Sequence, residues 1–351
     1  MQKVFIGLGV PANHAEICSD VLIAADLRGI DSHGVNRLKP IYYDRIKAGI
    51  QFPNANIDIV REGPTTAVLD ANNGMGMVVS HTAMAMAVEK AKKFGMGMTV
   101  VRNSTHYGIA GYYPLMAVEK NCIGLSGTNA RPSIAPTFGV ENMLGTNPQT
   151  WAIPTDEEFP FFLDCATSVS QRGKIEVYAR TGKKMPEGWV VRRDGGTETD
   201  PNQALKDLLS GDAALAPLGG IGEDGGGYKG YGYAAITEIL SAALQGGMFL
   251  KALSGFDADG KRQPYRLGHF FMAIDIEAFT DIGSFKKTTG DILRALRNSD
   301  KAPGQERIYT AGEKEWEAFR ERSEKGIEIN ESVAAEFRTM AEELGITGYD
   351  W

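Results

Sequence analysis

The sequence predicts an α/β protein with a helical subdomain built from its two ends. Strand-like and helix-like segments alternate between residues 65 and 283, as a layered α/β domain requires. Before residue 65 the apolar residues recur at helical spacing, and from Ser284 onward the chain is charged and helical in pattern. The expected division is residues 1–64 plus 284–351 as a helical subdomain, and residues 65–283 as an α/β domain that carries the ligand sites. No internal repeat is visible.

The first twelve residues contain a decoy. Lys3-Val-Phe-Ile-Gly-Leu-Gly-Val-Pro-Ala12 has an apolar run leading into Gly-x-Gly-x-x-Ala, and Asp26 follows. That is the outline of a Rossmann fingerprint, with its acidic residue about 20 positions on. The spacing fails, because a strand ending at Asp26 leaves about nine residues for a crossover helix that needs ten to twelve or more. Helix fits better. Asn13 and Glu16 have the spacing of a capping box, and Ile17, Val21, Ala24 and Ala25 share one face.

The remaining elements follow in order. Leu38 to Lys47 reads as helix ending near Gly49, and residues 51–64 as loop and edge structure. Thr65–Asp70 reads as strand, Val78–Phe94 as helix closed by Gly95, and Met98–Val101 as strand. Ile109–Lys120 reads as helix, Cys122–Ser126 and Phe159–Leu163 as strands, and the region through Ile175 and Val177 as helix. Residues 185–230 are loop-rich, Tyr231–Leu244 is an apolar helix, and His269–Asp275 is a strand.

Composition narrows the function. The 351 residues allow two compact units, and 43% apolar with 23% charged is ordinary for a globular protein. A net charge of −7 with no basic stripe argues against nucleic acid as a partner. Cys18, Cys122 and Cys165 are scattered, with no C-x-x-C, which fits a reducing compartment. No apolar run reaches the roughly 18 residues of a membrane span, and the start lacks signal-peptide layout. A cytoplasmic protein away from membranes is expected. No H-E-x-x-H or Cys/His cluster suggests a metal, and no G-x-S-x-G suggests a serine hydrolase.

Two histidine loops carry candidate chemistry. In Arg28-Gly-Ile-Asp-Ser-His-Gly-Val-Asn-Arg37, the residues Ser32, His33 and Arg37 cluster just past a helix end. In Asn103-Ser-Thr-His-Tyr-Gly-Ile-Ala-Gly-Tyr112, His106 follows a strand and precedes a helix, where α/β proteins usually bind ligands. Each histidine alone is compatible with a solvated or capping residue. His14, His81 and His269 read as structural. A third element, Pro217-Leu-Gly-Gly-Ile-Gly-Glu-Asp-Gly-Gly-Gly-Tyr-Lys-Gly-Tyr-Gly232, places Lys229 just before an apolar helix, an arrangement suited to phosphate.

These segments, with Leu144-Gly-Thr-Asn-Pro148, Asp164-x-Ala-Thr-Ser168 and Gly173-Lys174, occur in one order. Together they resemble the type-2 malate/L-lactate dehydrogenase family, over nearly the whole chain. That family includes malate, sulfolactate and ureidoglycolate dehydrogenases, a diketogulonate reductase and cyclic imino acid reductases. The resemblance implies a non-Rossmann NAD(P)-binding α/β fold of the malate/L-sulfolactate dehydrogenase type, so that Gly7-x-Gly9 is a turn. It also implies a start that is short against relatives.

The resemblance assigns roles. His33 and His106 match the acid/base histidines of different members; His106 is favoured, without deciding between them. Ser32 matches a substrate-orienting position and Arg37 a carboxylate holder. Ala130, Asp164, Cys165, Ala166, Thr167, Ser168, Lys229, Gly230, Lys301, Ala302 and Pro303 match cofactor contacts. NAD or NADP is the implied cofactor, with NAD favoured, and a homodimer acting on a small anionic substrate is expected. Arg131 stands where relatives often carry a neutral or acidic residue. Its expected role is to bind the distal carboxylate of malate or oxaloacetate; the alternative is a surface pair with an acid such as Glu141.

Overall fold

The computed structural model describes residues 1–348. In chain order the helices are α1 (Gln2–Gly7), α2 (Ala12–Leu27), α3 (Asp44–Lys47), α4 (Gly76–Phe94), α5 (Tyr112–Val118), α6 (Arg172–Arg180), α7 (Pro201–Ser210), α8 (Gly227–Ala242), α9 (Ile282–Arg297), α10 (Glu313–Lys325) and α11 (Glu331–Leu344). The strands are β1 (Asp58–Glu62), β2 (Thr66–Asp70), β3 (Met96–Ser104), β4 (Cys122–Thr128), β5 (Gln149–Ile153), β6 (Phe161–Cys165), β7 (Val190–Arg192), β8 (Ala213–Leu215) and β9 (Leu267–Asp275).

The α/β class holds. Seven strands form one sheet in the order β1-β2-β3-β9-β4-β5-β6, and β7 pairs with β8. The edge strand β1 runs antiparallel to β2, with Asp58 opposite Asp70. β2 and β3 are parallel, with Thr66 opposite Met98, and α4 makes the crossover that parallel neighbours need. The crossover lies tight on the sheet, since a Cβ at Gly97 would sit 2.1 Å from the Ala87 carbonyl. Gly95 closes α4 at φ +90°, a conformation that glycine accepts freely.

The chain packs as two compact units. One comprises Met1–Ser126, Thr150–Asp164 and Phe271 onward; the other comprises Gly127–Gln149 and Cys165–Phe270. Residues 1–64 and the segment after 284 thus share a unit with most of the large sheet. Within it the two chain ends build a common core, in which Phe5, Val21, Leu22, Leu38 and Tyr42 pack with Val333, Phe337 and Met340. A second core joins Leu69, Met84, Val101, Tyr113 and Phe271. The other unit is centred on Ile134, Leu144, Ile175, Val190 and Leu215.

Several boundaries differ from expectation for local reasons. The opening apolar run is helix α1, and Gly9, at φ +90°, makes the turn into α2. The cap of α2 is Pro11 rather than Asn13, and no side chain caps it. Leu38–Tyr43 is a π-helical turn that continues into α3. β6 begins at Phe161 rather than Phe159, because Pro160 has no amide to give the ladder. α8 starts at Gly227, so Lys229 lies inside its first turn rather than ahead of it. α7 and β5 occupy stretches where no element was expected.

Candidate active site

His106 is fixed from beneath. β3 ends at Ser104, and the next residues cross the start of α4. Gly76, the first residue of α4, donates its amide to Thr105 Oγ1 at 3.0 Å, and that hydroxyl donates to the Gly74 carbonyl at 2.8 Å. A Cβ at Gly76 would stand 2.2 Å from the Thr105 carbonyl and 2.6 Å from that of His106. Only glycine permits this approach, so the histidine loop rests directly on the helix backbone.

His33 arrives from the other side. α2 ends at Leu27, Gly29 reverses the chain at φ +73°, and short 3₁₀ turns follow at Asp31–His33 and Val35–Arg37. The two imidazoles stack, with centroids 5.7 Å apart and planes 17° from parallel. Ser32 Oγ lies 2.9 Å from His33 Nδ1. Arg37 Nε donates to the Ser32 carbonyl, and Arg37 makes no ion pair among the described residues. Burial, with the Arg37 charge second, pushes the His33 pKa down to about 4, so its ring is neutral at neutral pH.

A residue outside the sequence expectation joins them. Tyr42, fully buried in the π-helical turn, places its hydroxyl 2.7 Å from His106 Nδ1. The Gly108 amide also points at Nδ1, at 3.2 Å. An amide only donates, so Nδ1 of the neutral ring is an acceptor and Nε2 carries the hydrogen. Burial drives the Tyr42 pKa far up, so Tyr42 keeps its proton and serves as a rotatable hydrogen-bond partner. Tyr42 and His106 are 64 positions apart, and no local pattern marks the pair.

The expected cofactor residues fall into different parts of the chain. Asp164, at the end of β6, accepts the Gly111 amide at 2.9 Å, and burial raises its pKa to about 6. Lys301, Ala302 and Pro303 lie on the exposed loop after α9, where Lys301 Nζ donates to the Glu306 carbonyl at 3.2 Å. These belong to the unit that carries the two histidines. Ala130, Arg131, Cys165, Ala166, Thr167, Ser168, Lys229 and Gly230 belong to the other unit.

In that second unit Thr167 Oγ1 donates to the carbonyls of Thr146 and Asn147, each at 3.1 Å. Ser168 is buried, and its hydroxyl has no partner among the described residues, as is also true of Ser170. The glycine-rich segment folds back on itself, for a Cβ at Gly227 would meet the Gly220 carbonyl at 2.0 Å and one at Gly230 the Leu218 carbonyl at 2.1 Å. Lys229 is exposed in the first turn of α8. Arg131 is exposed and makes no ion pair among the described residues. The alternative partner Glu141 is taken, because its carboxylate bonds Lys251.

Among the described residues no helix is long and apolar enough to cross a membrane. None holds a group of three or more His, Cys, Asp or Glu side chains placed to bind a metal ion.

Comparison with known proteins identifies the family. The profile of the malate/L-lactate dehydrogenase family matches residues 1–338. Malate dehydrogenase of Pyrococcus horikoshii is 44% identical over 346 residues, covering 99% of this chain and 93% of the relative. L-Sulfolactate dehydrogenase of Methanocaldococcus jannaschii is 38% identical, covering 98% of this chain and 94% of the relative. The crystal structure of malate dehydrogenase from Entamoeba histolytica superposes with a TM-score of 0.95 at 46% identity, covering 100% of this chain and 96% of that one. A chain matched end to end in sequence and in fold, with two imidazoles stacked beside a guanidinium, belongs to the malate/L-lactate dehydrogenase family of oxidoreductases acting on CH–OH groups.

Proposed function

We propose that the protein interconverts (S)-malate and oxaloacetate with NAD or NADP, NAD being preferred. The observation that carries the reading is the stacked His33–His106 pair with Arg37 on the same loop. Relatives named malate dehydrogenase at 44% and 45% identity support the substrate class. The test is oxidation of NADH and NADPH by oxaloacetate: turnover supports the reading, and none with either cofactor overturns it.

The chain fits a nicotinamide dinucleotide. The buried Ser168 and Ser170 hydroxyls have no partner among the described residues, and the glycine-rich segment leads into the first turn of α8 beside Lys229. Asp164, Cys165, Ala166, Thr167, Ser168, Lys229 and Gly230, with Ala130 and Lys301–Pro303, are the residues proposed to hold it. When bound, the nicotinamide supplies hydride acceptor and donor chemistry at C2 of the acid. Arg37 holds the C1 carboxylate through its planar fork of donors, and Ser32 orients the substrate.

His106 handles the proton. In the reducing direction its imidazolium form gives the Nε2 proton to the carbonyl oxygen and is left as the neutral ring. In oxidation the neutral ring, with its hydrogen on Nδ1 and hydrogen-bonded to the Tyr42 oxygen, accepts the hydroxyl proton at Nε2 and becomes the imidazolium. Tyr42 serves either tautomer by rotating its hydroxyl, whereas the Gly108 amide serves only one. His33, neutral above about pH 4, is too weak a base to hold a proton for transfer near neutrality. It packs against the working ring and lowers local polarity.

Arg131 is proposed to bind the distal carboxylate, and sulfopyruvate, whose distal group is also anionic, fits the same receptor. A homodimer is proposed as the working form. Size-exclusion chromatography with light scattering should give twice the 38.0 kDa chain mass, and a purely monomeric active enzyme contradicts it.

A further inference from the structure

Asp26 is the acid that imitates a Rossmann fingerprint, yet the fold uses it otherwise. It lies in the last turn of α2 and is 4% exposed. Its Oδ2 accepts the Val35 amide at 2.8 Å. Gly34 lies directly over the carboxylate, and a Cβ at that position would fall 1.7 Å from Oδ1 and 2.1 Å from Cγ. Gly34 has φ −87°, so its backbone does not demand glycine; the demand comes from Asp26.

The same turn is held at its other end. Arg322 of α10 donates to the Asp26 carbonyl and to the Asp31 carboxylate. The segment Asp31–Arg37 is thereby clamped at Asp31 by Arg322 and at Val35 by Asp26. Between the clamps sit Ser32, His33 and Gly34, and Arg37 follows. A buried carboxylate is a costly way to hold one amide. Burial raises its pKa to about 6, the Val35 amide opposes that, the neighbouring Asp31 adds to it, and Arg322 opposes it. Asparagine would fill the same volume without that cost.

We propose that Asp26 is the positioning residue of the His33 loop: its carboxylate, docked under Gly34 and on the Val35 amide, sets the height of the Asp31–Arg37 turn and so the stacking of His33 on His106 and the aim of Arg37. The proposal rests on the dehydrogenase reading of the histidine pair.

The test uses Asp26→Asn, Gly34→Ala, Asp26→Ala and the double variant Asp26→Ala/Gly34→Ala in the full chain. The readouts are kcat and KM across pH, with thermal unfolding as the control. Asp26→Asn should lower kcat about tenfold, since displacement of reacting groups by a fraction of an ångström has effects of that order. Its Tm above pH about 6 should match or exceed the parent's. The fold raises this pKa from 3.8 to about 6, so the group's contribution to stability is full at acid pH and is lost as pH rises through that value. The parent's kcat should fall below pH about 6 as Asp26 protonates, and Asp26→Asn should lack that limb.

Gly34→Ala should cost more than tenfold alone, and nothing further once Asp26 is alanine, which is the non-additivity of a direct steric contact. Parental kcat and an unchanged acid limb in Asp26→Asn overturn the proposal. So do additive losses in the double variant, or an Asp26→Asn chain that no longer folds. If His33→Asn and His106→Asn both keep parental turnover, the dehydrogenase reading of the pair falls and the positioning role falls with it. If they lose turnover while Asp26→Asn does not, only the positioning role is overturned.

Discussion

His106→Asn should lower kcat by about 10²–10⁴-fold, the usual contribution of a positioned acid/base group, while KM for the acid changes little. Asparagine keeps a polar group near Tyr42 and the Gly108 amide but cannot carry a proton at neutral pH. Tyr42→Phe should act in the same direction and less strongly, about tenfold. It removes the group that lets Nδ1 change between acceptor and donor, and it leaves the ring in place through the T-shaped packing at 5.8 Å. Stopped-flow measurement of NADH oxidation separates the chemical step from product release. A His106→Asn enzyme within about threefold of parental kcat contradicts the assignment. If His33→Asn shows the large loss instead, the roles of the two rings are exchanged.

Arg131→Ala should cost about ten- to a hundredfold in kcat/KM for oxaloacetate and leave pyruvate unchanged, because one charge-assisted pair is typically worth about 1.5–3 kcal/mol. The physical case is one of elimination. The arginine is exposed, forms no ion pair among the described residues, and its nearest acidic candidate in sequence is already bonded to Lys251. Equal loss with both acids, or none with either, returns Arg131 to the protein surface.

Much of the fold was legible because local chemistry and tertiary packing agree. β2, α4 and β3 follow from an alternating strand, an Ala/Met-rich helix and a glycine that closes it. What escaped did so for identifiable reasons. In β5, Gln149-Thr-Trp-Ala-Ile153, the buried positions are Thr150 and Ala152 and the large residues face outward, so the apolar alternation is inverted. α7 joins the Asp200 cap and the first-turn Pro201 to an apolar face of Ala204, Leu205 and Leu208, a helix of 10 residues inside a loop-rich region.

The site was half legible in the same sense. His33 and His106 stood out through their glycine-flanked loops, yet their stacking is a long-range fact. Tyr42 lay hidden in an apolar helical stripe, where a tyrosine reads as core. Asp26 was visible for the wrong reason. Its spacing from Gly7 matched a dinucleotide fingerprint, whereas its partner is Gly34, eight positions ahead on the returning chain.

The most direct test of the central claim is steady-state oxidation of NADH and of NADPH with oxaloacetate, sulfopyruvate, pyruvate and a cyclic imino acid, side by side. The expected result is a preference of at least about tenfold in kcat/KM for the two substrates with a distal anion, as one charge-assisted contact provides. A preference for pyruvate or for the imine contradicts the malate assignment, because neither needs a second cationic receptor.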